Sequence, residues 1–259
     1  MSSAASVVAA AVSLAAARSW LLAVLDLVFP ALCPVCERPL GAGRRDPLCG
    51  ECWARVDRVA PPWCMRCGLP FAVFAPSTPQ PEDTGLCQAC AEGRATFVWA
   101  RAGAQYTGPV REAVHALKFG RKRALARPLA ELVLEQCGRG VAEGFGALVP
   151  VPLAPEREHE RGFNQAGLVA ERLGRGLGLP VKPRWLARTR ATQPQSDLGA
   201  AERRANVRGA FAASPRVTGL DVIVVDDVFT TGATVAECCR ALSAAGARRV
   251  AVLTVARVV

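Results

Sequence analysis

The amino-acid sequence predicts an α/β fold, a parallel sheet with flanking helices, preceded by a small cysteine-rich module. From about Phe97 onward, strand-like and helix-like runs alternate, which is typical of a parallel sheet covered on both faces. Residues 30–92 instead hold eight of the eleven cysteines, many prolines and no long periodic apolar segment. With 259 residues, the chain is long enough for both parts.

Residues 1–29 are alanine-rich and apolar and are predicted to form an N-terminal helix. The alanines at 15–17 resemble a signal-peptide cleavage site, but no positive charge precedes the apolar stretch, and Arg18 and Asp26 interrupt it. The uncharged run over 4–17 is too short to span a bilayer. We therefore predict no membrane span and a cytoplasmic location.

The cysteines of residues 30–92 form four Cys-x-x-Cys pairs, which favour metal ligation over disulfides in a chain without a convincing secretory signal. Two pairs complete a tetrahedral zinc site with no open coordination position, so we predict two structural zinc ions. Sequential pairing is the simplest arrangement; an interleaved one also fits the spacing, and iron–sulfur ligation is the rival chemistry. The predicted ligands are Cys33, Cys36, Cys49 and Cys52 for one ion and Cys64, Cys67, Cys87 and Cys90 for the other.

Residues 97–259 are predicted to contain helices and strands in alternation. Apolar residues recur at helical spacing over 164–177, and the helix over 124–137 ends before Gly138. Prolines stop the strand over 147–151. Further helices are predicted over 110–117 and 235–245, and further strands over 221–225 and 249–255.

The strand over 221–225 leads directly to Asp226 and Asp227 and then to a Thr/Gly-rich turn. In open α/β sheets, ligands bind at the carboxyl ends of the strands. Threonine hydroxyls, the close approach that glycine permits and the free amides of a helix start together favour a 5′-phosphate. The two carboxylates would then lie about one sugar ring away, suited to accept hydrogen bonds from ribose hydroxyls. The predicted phosphate-binding residues are Thr230, Thr231, Gly232, Ala233 and Thr234.

Other interpretations of this turn fit the sequence less well. A P-loop requires a lysine after its last glycine, and a dinucleotide fold requires Gly-x-Gly-x-x-Gly; neither pattern is present around Gly232. A phosphotransfer receiver would use paired aspartates but gives the Thr/Gly-rich continuation no role. The remaining alternative is an ordinary strand and a helix whose N-cap is Thr230 or Thr231.

The formal net charge of +10 favours an anionic partner, which could be a phosphorylated metabolite, single-stranded nucleic acid or an anionic membrane surface. Positive charge is concentrated over residues 111–127, where Glu112 is the single acidic residue. A solvated helix face is the alternative interpretation of this basic segment. Its cations are Arg111, Lys118, Arg121, Lys122, Arg123 and Arg127.

The stretch over 222–235 resembles the signature with which type I phosphoribosyltransferases bind phosphoribosyl pyrophosphate (PRPP). Further segments narrow the resemblance to the ComF family (ComFC-type competence proteins), whose N-terminal part is a cysteine-rich zinc ribbon. The resemblance covers nearly the whole chain from about Leu27. These segments are Tyr106-Thr107-Gly108-Pro109 with Leu117-Lys118-Phe119, Glu160-Arg161-Gly162-Phe163-Asn164-Gln165, and Thr192-Gln193-Pro194-Gln195 with Arg203, Asn206 and Phe211.

The resemblance implies a double zinc-ribbon module over 30–92 and a type I phosphoribosyltransferase fold over 97–259, with Mg²⁺ accompanying PRPP. It also implies a role in DNA uptake or processing during natural transformation, with partners in the uptake machinery. No motif identifies an acceptor for phosphoribosyl transfer. If transfer occurs, the first candidate to stabilise the leaving pyrophosphate is Arg161, and the second is Lys118. The alternative is a non-catalytic component that binds single-stranded DNA under regulation by PRPP; a zinc module serving as a protein adaptor is a third interpretation.

Overall fold

The computed structural model describes residues 31–40, 47–71, 85–190 and 200–259. The chain divides into two compact units, Met1–Ala54 and Arg55–Val259. The last four cysteines of the Cys-x-x-Cys pairs therefore lie in the same unit as the sheet, and the boundary near residues 92–97 stays a prediction. The predicted helix over 1–29 lies outside the described residues. Within the described ranges, no helix combines the length and apolarity needed to cross a bilayer.

The described part of the first unit is organised around four cysteines, hereafter the first quartet. The chain turns tightly after the first of them, and Leu32 pairs with Pro39 in an antiparallel bridge. A short helix α1, Gly50–Ala54, follows. No sizeable apolar cluster accompanies these described residues, as expected where metal ligation takes the place of a core. The first quartet consists of Cys33, Cys36, Cys49 and Cys52.

The same turn recurs at the start of the second unit, where Trp63 pairs with Pro70. Each turn needs one residue with left-handed backbone: Glu37 in the first has φ +58°, and Gly68 in the second has φ +69°. A Cβ atom at Gly68 would lie 2.6 Å from the carbonyl oxygen of Ala100 in the sheet. Glycine is therefore required in the second turn for a packing reason that the first turn does not share.

The second unit contains a sheet in the order β1-β6-β5-β2, in which all pairings are parallel, and a separate antiparallel hairpin of β3 and β4. The predicted α/β class is therefore confirmed. The strands are β1 (Ala100–Gln105), β2 (Ala147–Pro150), β3 (Leu186–Arg188), β4 (Phe211–Ala213), β5 (Asp221–Phe229) and β6 (Arg249–Arg257). The helices are α2 (Gln88–Ala91), α3 (Gly108–Lys118), α4 (Ala126–Cys137), α5 (Pro155–Arg161), α6 (Gln165–Leu177), α7 (Ala200–Val207) and α8 (Ala233–Ala244).

Helices cover both faces of the sheet. Helices α4 and α6 pack on each other and against the strands, whereas α8 packs against β5 and β6 together with α7 and the hairpin. On β5, Val222 and Val224 join the cluster around α8, so Ile223 and Val225 face the other side because side chains alternate along a strand. All four are fully buried, and each contributes about 1.5–3 kcal/mol to stability.

Strand β5 is longer than predicted. The prediction ended it at residue 225, but pairing with β6 continues to Phe229, opposite Arg257. The strand persists because β6 runs beside it over the same length, a long-range partner that local sequence does not reveal. Asp226 and Asp227 consequently lie within the strand and point to opposite faces of the sheet.

Candidate functional site

The site lies where the four parallel strands end, at the edge of the sheet where open α/β folds bind ligands. Asp227 faces the C-terminal end of α3, and its Oδ1 lies 3.0 Å from Nζ of Lys118. Burial lowers the pKa of Lys118, but the charge of Asp227 and the hydrogen bond between them outweigh burial and raise it above its usual value. Oδ2 of Asp227 is buried and has no hydrogen-bond partner among the described residues. Asp227 thus has one buried acceptor oxygen that no described group satisfies.

Asp226 points to the opposite face. Burial and then the nearby charge of Asp227 raise its pKa, while Lys118 and Arg188 act in the opposite direction. The backbone N–H of Asp227 donates to Oδ1 of Asp226 at 2.9 Å. The two carboxylates therefore lie close enough to repel each other, and a ligand that donates hydrogen bonds to them would offset that repulsion.

Two arginines flank the carboxylates. Arg161 ends α5, its guanidinium stacks 4.9 Å from the ring centre of Phe119, and burial lowers its pKa while Asp227 raises it. Arg188 ends β3, and its charge acts on Asp226 from the other side. Lys118 and Arg161 are thus brought beside the carboxylates, whereas Arg188 is absent from the predicted site. Its sequence signal is that Arg188 begins the polar, Arg-flanked stretch 188–198, whose composition suits a flap over the site.

The Thr/Gly-rich turn follows β5 and leads into α8. Gly232 is the N-cap of the helix, with φ +73°, and has no side chain with which to cap the first turn. The N–H of Ala233 reaches Oγ1 of Thr231 at a long 3.4 Å. A start of this kind leaves backbone amides available to an anion, and the helix dipole favours negative charge there. The predicted residues Thr230, Thr231, Gly232, Ala233 and Thr234 all lie in this turn and the first residues of α8.

Gly232 packs closely against the aromatic ring of Phe229. A Cβ atom on Gly232 would lie 2.6 Å from the ring of Phe229. Phe229 in turn stacks with the guanidinium of Arg257, 5.2 Å from its ring centre. The shape of the phosphate-binding turn therefore depends on the packing of the last residues of β5 and β6.

We expect Gly232→Ala to weaken anion binding and to destabilise the protein. Gly209→Ala is the matched control, because Gly209 also has a left-handed φ of +67° but a Cβ atom there would meet nothing within 4 Å. Both changes carry a backbone cost of about 1–2 kcal/mol, and only Gly232→Ala adds the clash. Urea unfolding and a titration with inorganic phosphate would measure the difference. Equal losses in both variants would contradict the importance of the close approach.

The second quartet is defined as Cys64, Cys67, Cys87 and Cys90. Within each quartet, the sulfur atoms all lie within 4.8 Å of one another, which confirms the sequential pairing. Burial raises the pKa of Cys64, but backbone N–H groups, including those of Cys67 and Cys87 at 3.4 and 3.3 Å, outweigh burial and lower it to about 6. Four converging sulfurs with N–H donors fit a tetrathiolate zinc site.

The second quartet is joined to the sheet by hydrogen bonds. Nη1 of Arg257, at the end of β6, donates to the carbonyl oxygen of Cys67 at 2.5 Å. The N–H of Ala100 donates to the carbonyl oxygen of Arg66 at 2.7 Å, between two of the cysteines. Because Arg257 also stacks on Phe229, it connects the second quartet with the phosphate-binding turn. Sequence reasoning missed Arg257, whose only signal is a charge at the end of an apolar strand.

Comparisons with known proteins agree with both parts. A family model described as a double zinc ribbon domain matches residues 24–91, and one described as a phosphoribosyl transferase domain matches residues 159–258. The DNA utilization protein YhgH of Salmonella typhimurium is 35% identical over 89% of this chain and 99% of its own length. Competence protein F of Haemophilus influenzae is 28% identical over 81% of this chain and 90% of its own.

Competence protein ComFC of Bacillus subtilis is 27% identical over 75% of this chain and 77% of its own length. The matched regions include both cysteine quartets and the turn between β5 and α8. The chain belongs to the ComF family, in which a double zinc ribbon precedes a phosphoribosyltransferase domain.

Proposed function

We propose that the second unit binds PRPP with Mg²⁺ at the end of β5. The observation that carries this proposal is the sequence of two adjacent carboxylates, a Thr/Gly-rich turn and a helix start with glycine at its N-cap, all within nine residues of chain, 226–234. The amides and hydroxyls of the turn would bind the 5′-phosphate. Asp226 and Asp227 would accept hydrogen bonds from the ribose hydroxyls, and binding would have to bring the buried, unpartnered Oδ2 of Asp227 within reach of the sugar.

Phosphoribosyl transfer is the chemistry we propose for this site. In it, the bond between C1 of the ribose and pyrophosphate breaks, a bond to the acceptor forms, and the acceptor loses a proton. Bound Mg²⁺ would neutralise part of the charge on the leaving pyrophosphate. Arg161 is the first candidate to stabilise that charge and Lys118 the second, although the ion pair of Lys118 with Asp227 also suits it to orient the carboxylate.

We infer a role in DNA uptake or processing from the relatives, which are named as DNA utilization and competence proteins. Partners in the uptake machinery follow from the same inference. A cytoplasmic location is supported by the free cysteines, since thiols stay reduced and able to bind zinc in that compartment.

Calorimetric titration with PRPP, with and without Mg²⁺, tests the binding proposal. The Asp226→Asn/Asp227→Asn variant is expected to bind about 100-fold more weakly, because it loses hydrogen bonds to charged groups. Glu171→Gln, an exposed carboxylate on α6, is the control for loss of charge. Unchanged binding in the double variant would refute the site. Release of pyrophosphate across a panel of nitrogen acceptors then tests transfer; saturable PRPP binding without turnover would favour a binding protein.

The alternative function is a non-catalytic single-stranded-DNA-binding component regulated by PRPP. The net charge of +10 supports it, but much of the basic segment has partners within the protein. Lys118 pairs with Asp227, Arg121 donates to the carbonyl oxygen of Glu160, and Arg127 pairs with Glu131. The basic segment is thus a weaker candidate for DNA than its composition indicates. Salt-sensitive binding of single-stranded DNA is the expected result of this function, and the absence of any binding at low ionic strength would exclude it.

A further inference from the structure

Helix α5 carries Arg161 but buries none of its own residues. The residues of α5, Pro155–Arg161, are all exposed or half-buried, whereas Ala154 before the helix and Phe163 after it are buried. A helix of seven residues without a buried face gains little stability from packing or from its own hydrogen bonds. The position of Arg161, the first candidate to bind the pyrophosphate, therefore depends on contacts with other segments.

These contacts come from the chain directly after α3. The guanidinium of Arg161 stacks on Phe119, 4.9 Å from the ring centre. Nη2 of Arg121 donates to the carbonyl oxygen of Glu160 at 2.7 Å. Two residues that follow α3 thus hold the last two residues of α5, one through its side chain and the other through its backbone carbonyl.

The contact with Phe119 restrains the guanidinium of Arg161 without using its N–H groups, because a cation on an aromatic face is attracted by the ring itself. Among the residues that the structure describes, none forms a hydrogen bond or an ion pair with this guanidinium. Burial lowers the pKa of Arg161 and the charge of Asp227 raises it, so the carboxylate is close enough to act on it. Arg161 is therefore held in place with its donors free, as binding of a diphosphate by a guanidinium requires.

Phe119 contributes little to the core, because 61% of its surface is exposed. Its ring is nevertheless held between two side chains. His115, one turn earlier in α3, lies 4.7 Å from the ring centre, and Arg161 contacts the same ring from α5. A change at Phe119 should therefore affect the position of Arg161 more than the stability of the fold.

Arg121 has a backbone conformation that residues other than glycine rarely adopt. Its φ of +52° lies in the left-handed region. Such a conformation costs free energy and persists where surrounding contacts compensate for it. The hydrogen bond from Arg121 to α5 is such a contact, and glycine, which would suit the backbone, could not make it.

We propose that Phe119 and Arg121 are positioning residues that hold Arg161 where it binds the pyrophosphate of PRPP. Lys118, which directly precedes Phe119, pairs with Asp227, so one short stretch of chain contacts both the carboxylate and the pyrophosphate candidate. This part of the basic segment then serves the ligand of this chain. The inference rests on the proposed function and adds to it the residues that set the preference for PRPP over ribose 5-phosphate.

The ratio of the affinities for PRPP and ribose 5-phosphate tests this inference, because ribose 5-phosphate keeps the phosphate and the sugar but lacks the pyrophosphate. Calorimetry with Mg²⁺ present should show about tenfold weaker PRPP binding in Phe119→Leu and in Arg121→Gly, the effect of losing one hydrogen bond to a charged group. Binding of ribose 5-phosphate should not change. Glycine accepts the left-handed backbone of residue 121, so Arg121→Gly removes the donor without adding strain.

Two control variants accompany this measurement. Phe119→Tyr keeps an aromatic ring under the guanidinium of Arg161 and should retain native PRPP affinity. Lys122→Gln removes a charge from the residue next to Arg121, at an exposed side chain, and should change neither affinity. Equal losses of PRPP and ribose 5-phosphate affinity in Phe119→Leu, or no loss of either, would overturn the inference.

A double-mutant cycle separates positioning from direct contact with the ligand. Arg161→Gln should lower PRPP affinity at least as much as Phe119→Leu does. Phe119→Leu/Arg161→Gln should then bind PRPP as Arg161→Gln does, because Phe119 acts through Arg161. Additive losses would overturn the inference while leaving the proposed function intact. A native protein that binds neither PRPP nor ribose 5-phosphate would remove the proposed function as well.

Discussion

Cys64→Ser is expected to lose one zinc ion per chain, about 4 kcal/mol of stability and most of the PRPP affinity. Cys64 is fully buried, and its sulfur accepts two backbone N–H groups, so its loss removes a ligand and the centre of a small network. Loss of a structural metal is among the few single changes with effects of this size. PRPP affinity should fall because Cys67 positions Arg257, which packs on Phe229 beneath the turn.

Cys36→Ser is the matched control for this prediction, because Cys36 belongs to the first quartet and to the other compact unit. It should also lose one zinc ion while retaining PRPP binding. Zinc content, urea unfolding and PRPP calorimetry on both variants make the comparison. Equal loss of PRPP affinity in the two variants would show that the second quartet has no special relation to the turn.

Lys118→Met is expected to destabilise the protein by about 3–5 kcal/mol, because it leaves the buried carboxylate of Asp227 without its cation. The side chains of Lys118 and Asp227 are only 20% and 6% exposed, so water cannot replace the ion pair. In the native protein the pKa of Lys118 is raised, so the contribution of the pair is complete below pH ~10 and is lost as pH rises through the raised value.

The stability of Lys118→Met should depend on pH differently from that of the native protein. Without the cation, a buried negative charge is left uncompensated, so the destabilisation should be larger at neutral pH than in acid. Urea unfolding across this range would measure it. Lys118→Met/Asp227→Asn should recover most of the stability but not PRPP binding, and Lys122→Met, at an exposed lysine, should change little. A double variant no more stable than Lys118→Met would contradict the buried-charge explanation.

The parts of the site that sequence predicted are those set by short-range patterns. The quartets follow from Cys-x-x-Cys spacing, and the turn from residues contiguous in the chain. The start of α6 is a further short-range feature, because Oδ1 of Asn164 accepts the N–H of Gly167 at 3.2 Å. Within each Cys-x-x-Cys pair, within the turn and at the cap, the interacting groups are close in sequence, so local stereochemistry determines the contact. Which two pairs share an ion depends on longer-range folding, and spacing left that choice open.

The features that sequence did not predict depend on distant segments. The length of β5 is set by pairing with β6, which changes Asp226 and Asp227 from neighbours on one end of a strand to residues on opposite faces. Arg188 and Arg257 reach the site only because the hairpin and β6 bring them there. Their residue types are ordinary, and tertiary packing gives them their positions.

The two copies of the repeated turn, segments 32–39 and 63–70, are not interchangeable. Glycine accepts left-handed backbone freely, so the segment 63–70 could replace 32–39 without strain at residue 37. The reverse graft would put glutamate at position 68, where a Cβ atom would collide with the carbonyl oxygen of Ala100. Segment 63–70 can therefore replace segment 32–39, but segment 32–39 cannot replace segment 63–70 without a steric clash.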